Sequence, residues 1–414
     1  VKASVIVVGH AGLAHLVDSI GSLAAEAGRV EVVLVDNGSA DRCGETAAAR
    51  WPWLVVVRSE DNLGFAGGVN LGAGAATGDV LILVNDDAAA APGFVDAHLE
   101  VLAANPRAAA TAGRLTSWDG RRHDFVRGAV TFDVHAFQVG QGWPVEAVAA
   151  SAAGEPLPFP CGGHMAIRRA DWDALGGFDA GLFAYFEDVE LGWRLWACGR
   201  EVAAAPGAVA RHRGAATSSG FGDFRRGVLF ERNALRTFAV CADDECRAAF
   251  GPAVYATFLH RLASFARADA GLATAVADPF GPVKPPPSRG ERWRRRLADR
   301  GVRGAARHLA ARLLLGPGVG GPTVSDGHLL MQLRALDGFV AGLGAGEIRR
   351  RELARRRTMP DRAIVELFPR LVVPTYPGDD AFFASDAFAS LLPKGWRVER
   401  RRLDEVLHPD LIEG

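Results

Sequence analysis

The chain reads as an α/β protein: a mostly parallel sheet with helices on both faces, followed by a mainly helical carboxyl-terminal region. Three observations predict this. Over the first hundred positions, short apolar runs alternate with stretches of helical periodicity about every 25 residues, the rhythm of right-handed βαβ units. One run, Val80 to Val84, is apolar throughout, as a strand buried on both faces must be. Beyond residue 220 strand-like runs give way to helical spacing, and the basic residues, nearly all arginine, crowd after residue 289.

Ala3 to Val8 is the first buried strand, and Leu13 to Ala25 carries apolar residues at helical spacing with Ser19 and Ser22 on the other face. Glu31 to Val35 is the second strand. It ends in Asp36-Asn37-Gly38-Ser39, a turn-forming quartet, before a helix over Ala40 to Arg50. Leu54 to Arg58 is the third strand, and Gly67 to Ala76, rich in Gly and Ala, is the helix that returns the chain to Val80. From Arg114 to Pro160 the pattern loosens; a long irregular segment of this kind is a wall of a second substrate pocket or a short hairpin. Gly162 to Ile167 restores a strand.

In a parallel sheet the ligand lies over the carboxyl ends of the strands. Those ends carry Gly9 and His10, Asp36 to Ser39, Asn62 to Gly68, and the adjacent acids Asp86 and Asp87. Two neighbouring carboxylates repel, so a divalent cation between them and a ligand is one reading, and capping of the helix near Pro92 and Gly93 is the other. A second acidic stretch, Glu187, Asp188 and Glu190, stands among Phe183, Tyr185, Phe186 and Trp193. These acids complement the dipole of an apparent helix running to Cys198. Aromatic surroundings also raise a carboxylate's pKa and make it a better base.

The totals narrow the function classes. With 414 residues, 49% hydrophobic and 23% charged, the chain is an ordinary globular protein of one large and one smaller part, and a net charge of -1 argues against nucleic-acid binding. No apolar run approaches a membrane span. Five cysteines without a Cys-x-x-Cys pair speak against disulfide or zinc frameworks and for a reducing cytosol. A strand that begins within three residues of Val1 leaves no room for a signal peptide. The turn Gly9-His10-Ala11-Gly12 lacks the dinucleotide fingerprint, and no Gly-Lys-Ser/Thr loop is present.

Residues 3 to about 215 resemble the family 2 glycosyltransferases, inverting enzymes of the GT-A fold, and within them the rhamnosyltransferase-like subgroup of bacterial surface polysaccharide synthesis. The matching segments are Val-Asp-Asn-Gly-Ser at 35–39, Asn-Leu-Gly-Phe-Ala-Gly-Gly-Val-Asn-Leu-Gly at 62–72, Asn-Asp-Asp-Ala at 85–88, Gly-Gly-Phe-Asp at 176–179 and Tyr-Phe-Glu-Asp-Val-Glu-Leu-Gly-Trp-Arg at 185–194. Each is weak alone; five in order and at the right spacing are not.

The resemblance implies a role for each. Asp36 contacts the base or ribose of a nucleotide-diphosphate sugar, with Asn37 and Ser39 shaping the turn. Asn62, Gly64 and Asn70 line the sugar and diphosphate. Asp86 joins the nucleotide-sugar-binding residues, and Asp87 stands as the final acid of the family's Asp-x-Asp motif and holds Mg2+ or Mn2+, although Asn85 replaces the motif's first acid. Asp188 is the base that deprotonates the acceptor, Glu187 supports it, and His212 matches a His that completes the metal or diphosphate site. For His212 the bland alternative is a structural histidine; His164 and His10 are weaker candidates. Trp193 and Arg194 read as packing and a structural ion pair.

The expected division is a transferase domain over 1–220, a helical extension and Pro-rich linker over 221–288, and an Arg-rich helical region over 289–414. Phe224 to Val240 and Val254 to Ala266 look helical, and Asp278 to Pro287 is a breaker. Within 289–315 a basic amphipathic helix suits either peripheral contact with an anionic membrane or packing on the main domain with a solvated Arg face. The tail after Asp326 is an acceptor-binding or oligomerisation module. The function expected is a metal-dependent inverting transfer, with dTDP-rhamnose as a candidate donor and a glycan or polyprenyl-linked acceptor, on the cytoplasmic side. A sugar nucleotidyltransferase and a non-catalytic glycan-binding protein are the alternatives.

Overall fold

The computed structural model describes residues 1–10, 13–214, 222–268 and 324–407. The Pro-rich breaker and the basic stretch 289–315 lie outside the described residues. The organising element is a nine-stranded sheet. Its parallel half consists of β1 (Ala3–Gly9), β2 (Glu31–Asn37), β3 (Leu54–Ser59) and β4 (Val80–Val84), in spatial order β3-β2-β1-β4. All five residues of β4 are buried, as its unbroken apolar run requires.

Beyond β4 the sheet is mixed rather than parallel. β10 (His164–Arg168) runs antiparallel between β4 and β6 (Ala108–Ser117), and β11 (Glu201–His212) and β5 (Ala88–Ala90) continue to the far edge. β7 (His123–Phe125) pairs with β6, and β8 (Arg127–Val130) forms a hairpin with β9 (Ala136–Val139), which gives the loose segment its order.

Helices α1 (Leu13–Ser22), α2 (Cys43–Arg50), α3 (Gly64–Ala75), α4 (Phe94–Ala104), α5 (Arg169–Leu175) and α6 (Glu187–Ala197) connect or follow the strands. Glycine costs a helix about 1 kcal/mol relative to alanine, and α3 contains several. Close approach explains one of them: a Cβ on Gly72 would stand 2.6 Å from Ile6 Cγ2 and 2.9 Å from Val35 Cγ2. α3 therefore lies directly on β1 and β2, with its first turn at the carboxyl edge of the sheet.

The apolar core does not stop at residue 220. Phe238 of α7 (Gly222–Cys241), Phe250 and Phe258 of α8 (Asp244–Ala268), and Leu353, Ile364 and Phe388 from the tail join the same buried cluster as Ile6, Leu34 and Ile82. Each fully buried side chain of this size contributes about 1.5–3 kcal/mol. Trp193 and Arg194 are structural: the Trp193 indole N–H donates to Asp361 at 2.8 Å, and Arg194 pairs with Glu190 at 2.6 Å inside the protein. Among the described residues no helix is long and apolar enough to cross a membrane.

Candidate active site

Strand ends gather the expected polar residues into three corners. The first lies over β1 and β2. His10 Nδ1 meets the Asn37 carbonyl at 2.9 Å, so this nitrogen carries the proton, and Nε2 accepts from Asn62 Nδ2 at 3.1 Å. Asn62 Oδ1 accepts the Gly64 N–H at 2.9 Å, and the Asn37 side chain holds the Leu63 N–H and the Gly64 carbonyl. The turn before α3 is thereby fixed by side chains from two strands. Gly64 adopts φ +72°, a left-handed conformation that favours glycine, and a Cβ there would stand 2.3 Å from the Phe183 carbonyl oxygen.

Asp36 sits beneath this corner, fully buried. Its carboxylate accepts the Ser39 N–H at 3.0 Å, the Gly44 N–H at 3.2 Å and the Arg58 guanidinium at 2.6 Å. Burial alone would raise its pKa, but these hydrogen bonds outweigh burial and hold it below the usual carboxylate range. Asp36 is spent on internal partners, and Arg58, its neighbour in the parallel register, is the more exposed of the two. Ser39 Oγ accepts the Cys43 N–H at 3.0 Å and caps the following turn. Asn70 faces away from this corner: both ends of its amide are engaged with the Phe178 main chain, at 2.9 and 3.0 Å.

The second corner follows β4. Asp86 and Asp87 are both buried, and Asp87 Oδ1 lies 2.9 Å from His212 Nε2 at the end of β11. The other ring nitrogen, Nδ1, is held by Asp124. Burial would lower the His212 pKa, but hydrogen bonds to Asp124 and Asp87 push it up to about 10, so the ring is an imidazolium between two carboxylates. The Asp124 carboxyl is correspondingly held down by His212 in spite of its burial. Asp124 was not among the expected site residues; it lies in the irregular segment, and no local pattern singles it out.

The third corner is the start of α6. Asp188 accepts the Gly162 N–H at 2.9 Å and its neighbouring Val189 N–H at 2.8 Å. Glu187 is buried, and its Oε2 has no hydrogen-bond partner among the described residues. Burial, then the charge of Asp188, pushes Glu187 up to about 8. Burial also raises Asp188, but its two main-chain donors oppose the rise. The two carboxyls titrate as a pair, and burial holds both above the usual carboxylate range.

Gly162 and Gly163 join the last two corners. The Gly163 carbonyl accepts the Asn85 N–H at 3.1 Å, while Gly162 donates to Asp188. Neither position has room for more: a Cβ on Gly162 would stand 3.1 Å from Glu187 Oε1, and one on Gly163 would stand 3.0 Å from Asn85 Nδ2. His164, two residues on, is different in kind. It is buried against His98 with ring centroids 5.0 Å apart, and burial pushes it down to about 4, so it is a neutral core residue.

Comparison with known proteins supplies a context for these corners. Residues 4–175 match the family model described as glycosyl transferase family 2. Over 207 residues the chain is 32% identical to an N-acetylglucosaminyl-diphospho-decaprenol L-rhamnosyltransferase of Mycobacterium tuberculosis, covering 45% of this chain and 67% of that protein. Among solved structures, GalNAc-T7 with UDP, GalNAc and Mn2+ has a TM-score of 0.47 at 21% identity and covers 68% of this chain and 53% of its own. A mannosyltransferase from Pyrobaculum calidifontis with GDP-Man and Mn2+ has a TM-score of 0.45 at 17% identity, covering 83% and 86%.

Proposed function

We propose that this chain, which belongs to glycosyltransferase family 2, moves a sugar from a nucleotide-diphosphate donor to a hydroxyl of a glycan or lipid-linked acceptor, with inversion at the anomeric carbon. The observation that carries this reading is the junction of the two acidic corners through Gly162 and Gly163. Asp87, paired with His212, and Asp188, held by the Gly162 N–H, stand on either side of one short turn, which supports reading them as acids of one site.

The first corner suits the nucleotide end of the donor. Arg58 and the turn of Asn37 and Ser39 line it, and Asp36 supports Arg58 from beneath. Asp188 accepts the proton of the acceptor hydroxyl while its oxygen bonds to the anomeric carbon and the bond to the diphosphate breaks. Glu187, protonated, can donate a hydrogen bond to the acceptor without adding charge. The relative named as acting on N-acetylglucosaminyl-diphospho-decaprenol with rhamnose favours a lipid-diphosphate-linked acceptor and a rhamnose donor such as dTDP-rhamnose.

Mg2+ or Mn2+ has two candidate donors at the second corner, and among the described residues no group of three or more His, Cys, Asp or Glu side chains could hold a metal ion. Asp87 supplies an oxygen and His212 an Nε2 beside it, and the contact of Nδ1 with Asp124 is the arrangement that leaves Nε2 as a ligand once its proton is lost. When bound, such an ion would neutralise charge on the leaving diphosphate. The test is calorimetric titration with a panel of nucleotide-diphosphate sugars, with and without Mn2+, on wild type and Asp87→Ala. Metal-dependent binding of one donor, lost in the variant, is the expected result. Binding of no nucleotide sugar under any condition sinks the reading and moves a glycan-binding role forward.

A further inference from the structure

The residues that lead into α6 have an unusual backbone. Phe183, Tyr185 and Phe186 have φ of 67°, 68° and 71°, so three of four consecutive residues occupy the left-handed region without being glycine. Such conformations persist only where the surroundings hold them. Here one side chain makes three of the holding hydrogen bonds. Asn233, in the middle of α7 and fully buried, points Nδ2 at the carbonyl oxygens of Leu182, Ala184 and Tyr185, at 3.0, 2.9 and 2.8 Å.

Its neighbour fixes the amide's orientation. Arg232 Nε donates to Asn233 Oδ1 at 2.9 Å, so the oxygen end is engaged and the nitrogen end must face the carbonyls. The Arg232 guanidinium also donates to the Leu182 carbonyl at 2.7 Å and to the Gly181 carbonyl at 3.1 Å. On its far side the strained segment touches the first corner, because the Phe183 carbonyl accepts the Ala66 N–H at 3.1 Å. The last strained residue, Phe186, directly precedes Glu187 and Asp188. A change in its φ rotates both carboxylates about the chain.

We infer that Asn233, oriented by Arg232, is a positioning residue that holds the strained turn 182–186 and thereby aims Glu187 and Asp188 at the acceptor. Its site lies in α7, outside the segment that matches the family model, so part of the acceptor machinery is carried by the helical extension. The inference rests on the reading of Glu187 and Asp188 as acceptor-side acids.

Asn233→Ala and Asn233→Asp test it. The second keeps the size but turns a carboxylate toward three carbonyls. In both, donor affinity by calorimetry should stay within about twofold of wild type, while kcat falls about 10- to 100-fold, the usual scale for a small misplacement of reacting groups. The acid limb of the kcat profile should move to lower pH as water reaches the acid pair. Amide hydrogen exchange over 182–190 should quicken in Asn233→Ala, a readout that needs no turnover.

A folded Asn233→Ala protein with unchanged kcat, acid limb and exchange overturns the inference. So does a loss of rate matched by an equal loss of folded protein. If Asn233→Ala does not fold, Arg232→Ala, which removes the orienting contact together with the guanidinium's own bonds to the Gly181 and Leu182 carbonyls, is judged by the same criteria. If wild type transfers no sugar, the functional reading fails, and the exchange measurement still decides whether Asn233 holds the turn.

Discussion

Two acidic corners stand at the same edge of the sheet, and the fold treats them in opposite ways. At the end of β4, Asp87 shares the cationic His212 ring with Asp124. At the start of α6, Glu187 and Asp188 have no ion-pair partner among the described residues, and burial raises both. A carboxylate next to a fixed positive charge stays ionised and can exchange that charge for another. One that is buried beside a second carboxylate takes up a proton instead. The first arrangement suits holding a cation against a diphosphate, and the second suits proton transfer. The residue types barely differ between the corners; the partners do.

The sharpest way to break this contrast is Asp188→Asn, which keeps the size, removes the base and gives up one of the two main-chain hydrogen bonds, to Gly162 or to Val189. Turnover should fall about 10²- to 10⁴-fold while donor affinity holds; a variant within about threefold of wild type would exclude Asp188 as the base. Next comes Asp87→Ala at the other corner. Mn2+-dependent donor binding should disappear by calorimetry, and retention of the wild-type metal response would assign the ion elsewhere.

Asp124→Asn probes the same corner one shell out. Mn2+ affinity, followed by quenching of the Mn2+ resonance signal on titration, should weaken about 10- to 100-fold, and an unchanged affinity would mean that Asp124 merely fills space.

Glu187→Gln turns the contrast into a pH dependence. The wild-type pKa is raised from 4.5 to about 8, so the unfolded chain releases this proton at lower pH than the folded one. Stability is therefore lost as pH rises from 4.5 through 8. The variant cannot lose a proton and should gain on wild type by on the order of 5 kcal/mol at pH 9 compared with pH 4, measured by denaturant unfolding. An offset that is the same at both pH values would show that Glu187 is not protonated in the fold. The smallest effect is expected for Gly64→Ala, which couples the donor turn to the strained segment before α6: at least about 1–2 kcal/mol of destabilisation by denaturant unfolding, since the positive φ is strained for alanine even where the Phe183 carbonyl moves away.

Local features were readable before any coordinates. The bounds of β4 coincide with its apolar run because a strand buried on both faces needs no polar position. The start of α6 coincides with its three acids because the helix dipole favours them there. Tertiary packing decided what the pattern left open. Asn70 sits in a motif associated with the donor, and its amide is bound to Phe178, 108 positions away. Most strands of the sheet run parallel, as expected, while β10 enters antiparallel beside β4, and no periodicity records strand direction.

What the sequence by itself determined is the set of elements and which polar residues sit at their ends, since both follow from side-chain spacing along the chain. What only the tertiary structure decided is what each of those residues can do. Arg58 neutralises Asp36 across 22 positions, Asp124 reaches His212 across 88, and Asn233 grips carbonyls 48 to 51 positions behind it. A carboxylate's charge and a turn's strain are set by neighbours in space. Those neighbours are distant in the chain, and only the packed core brings them together.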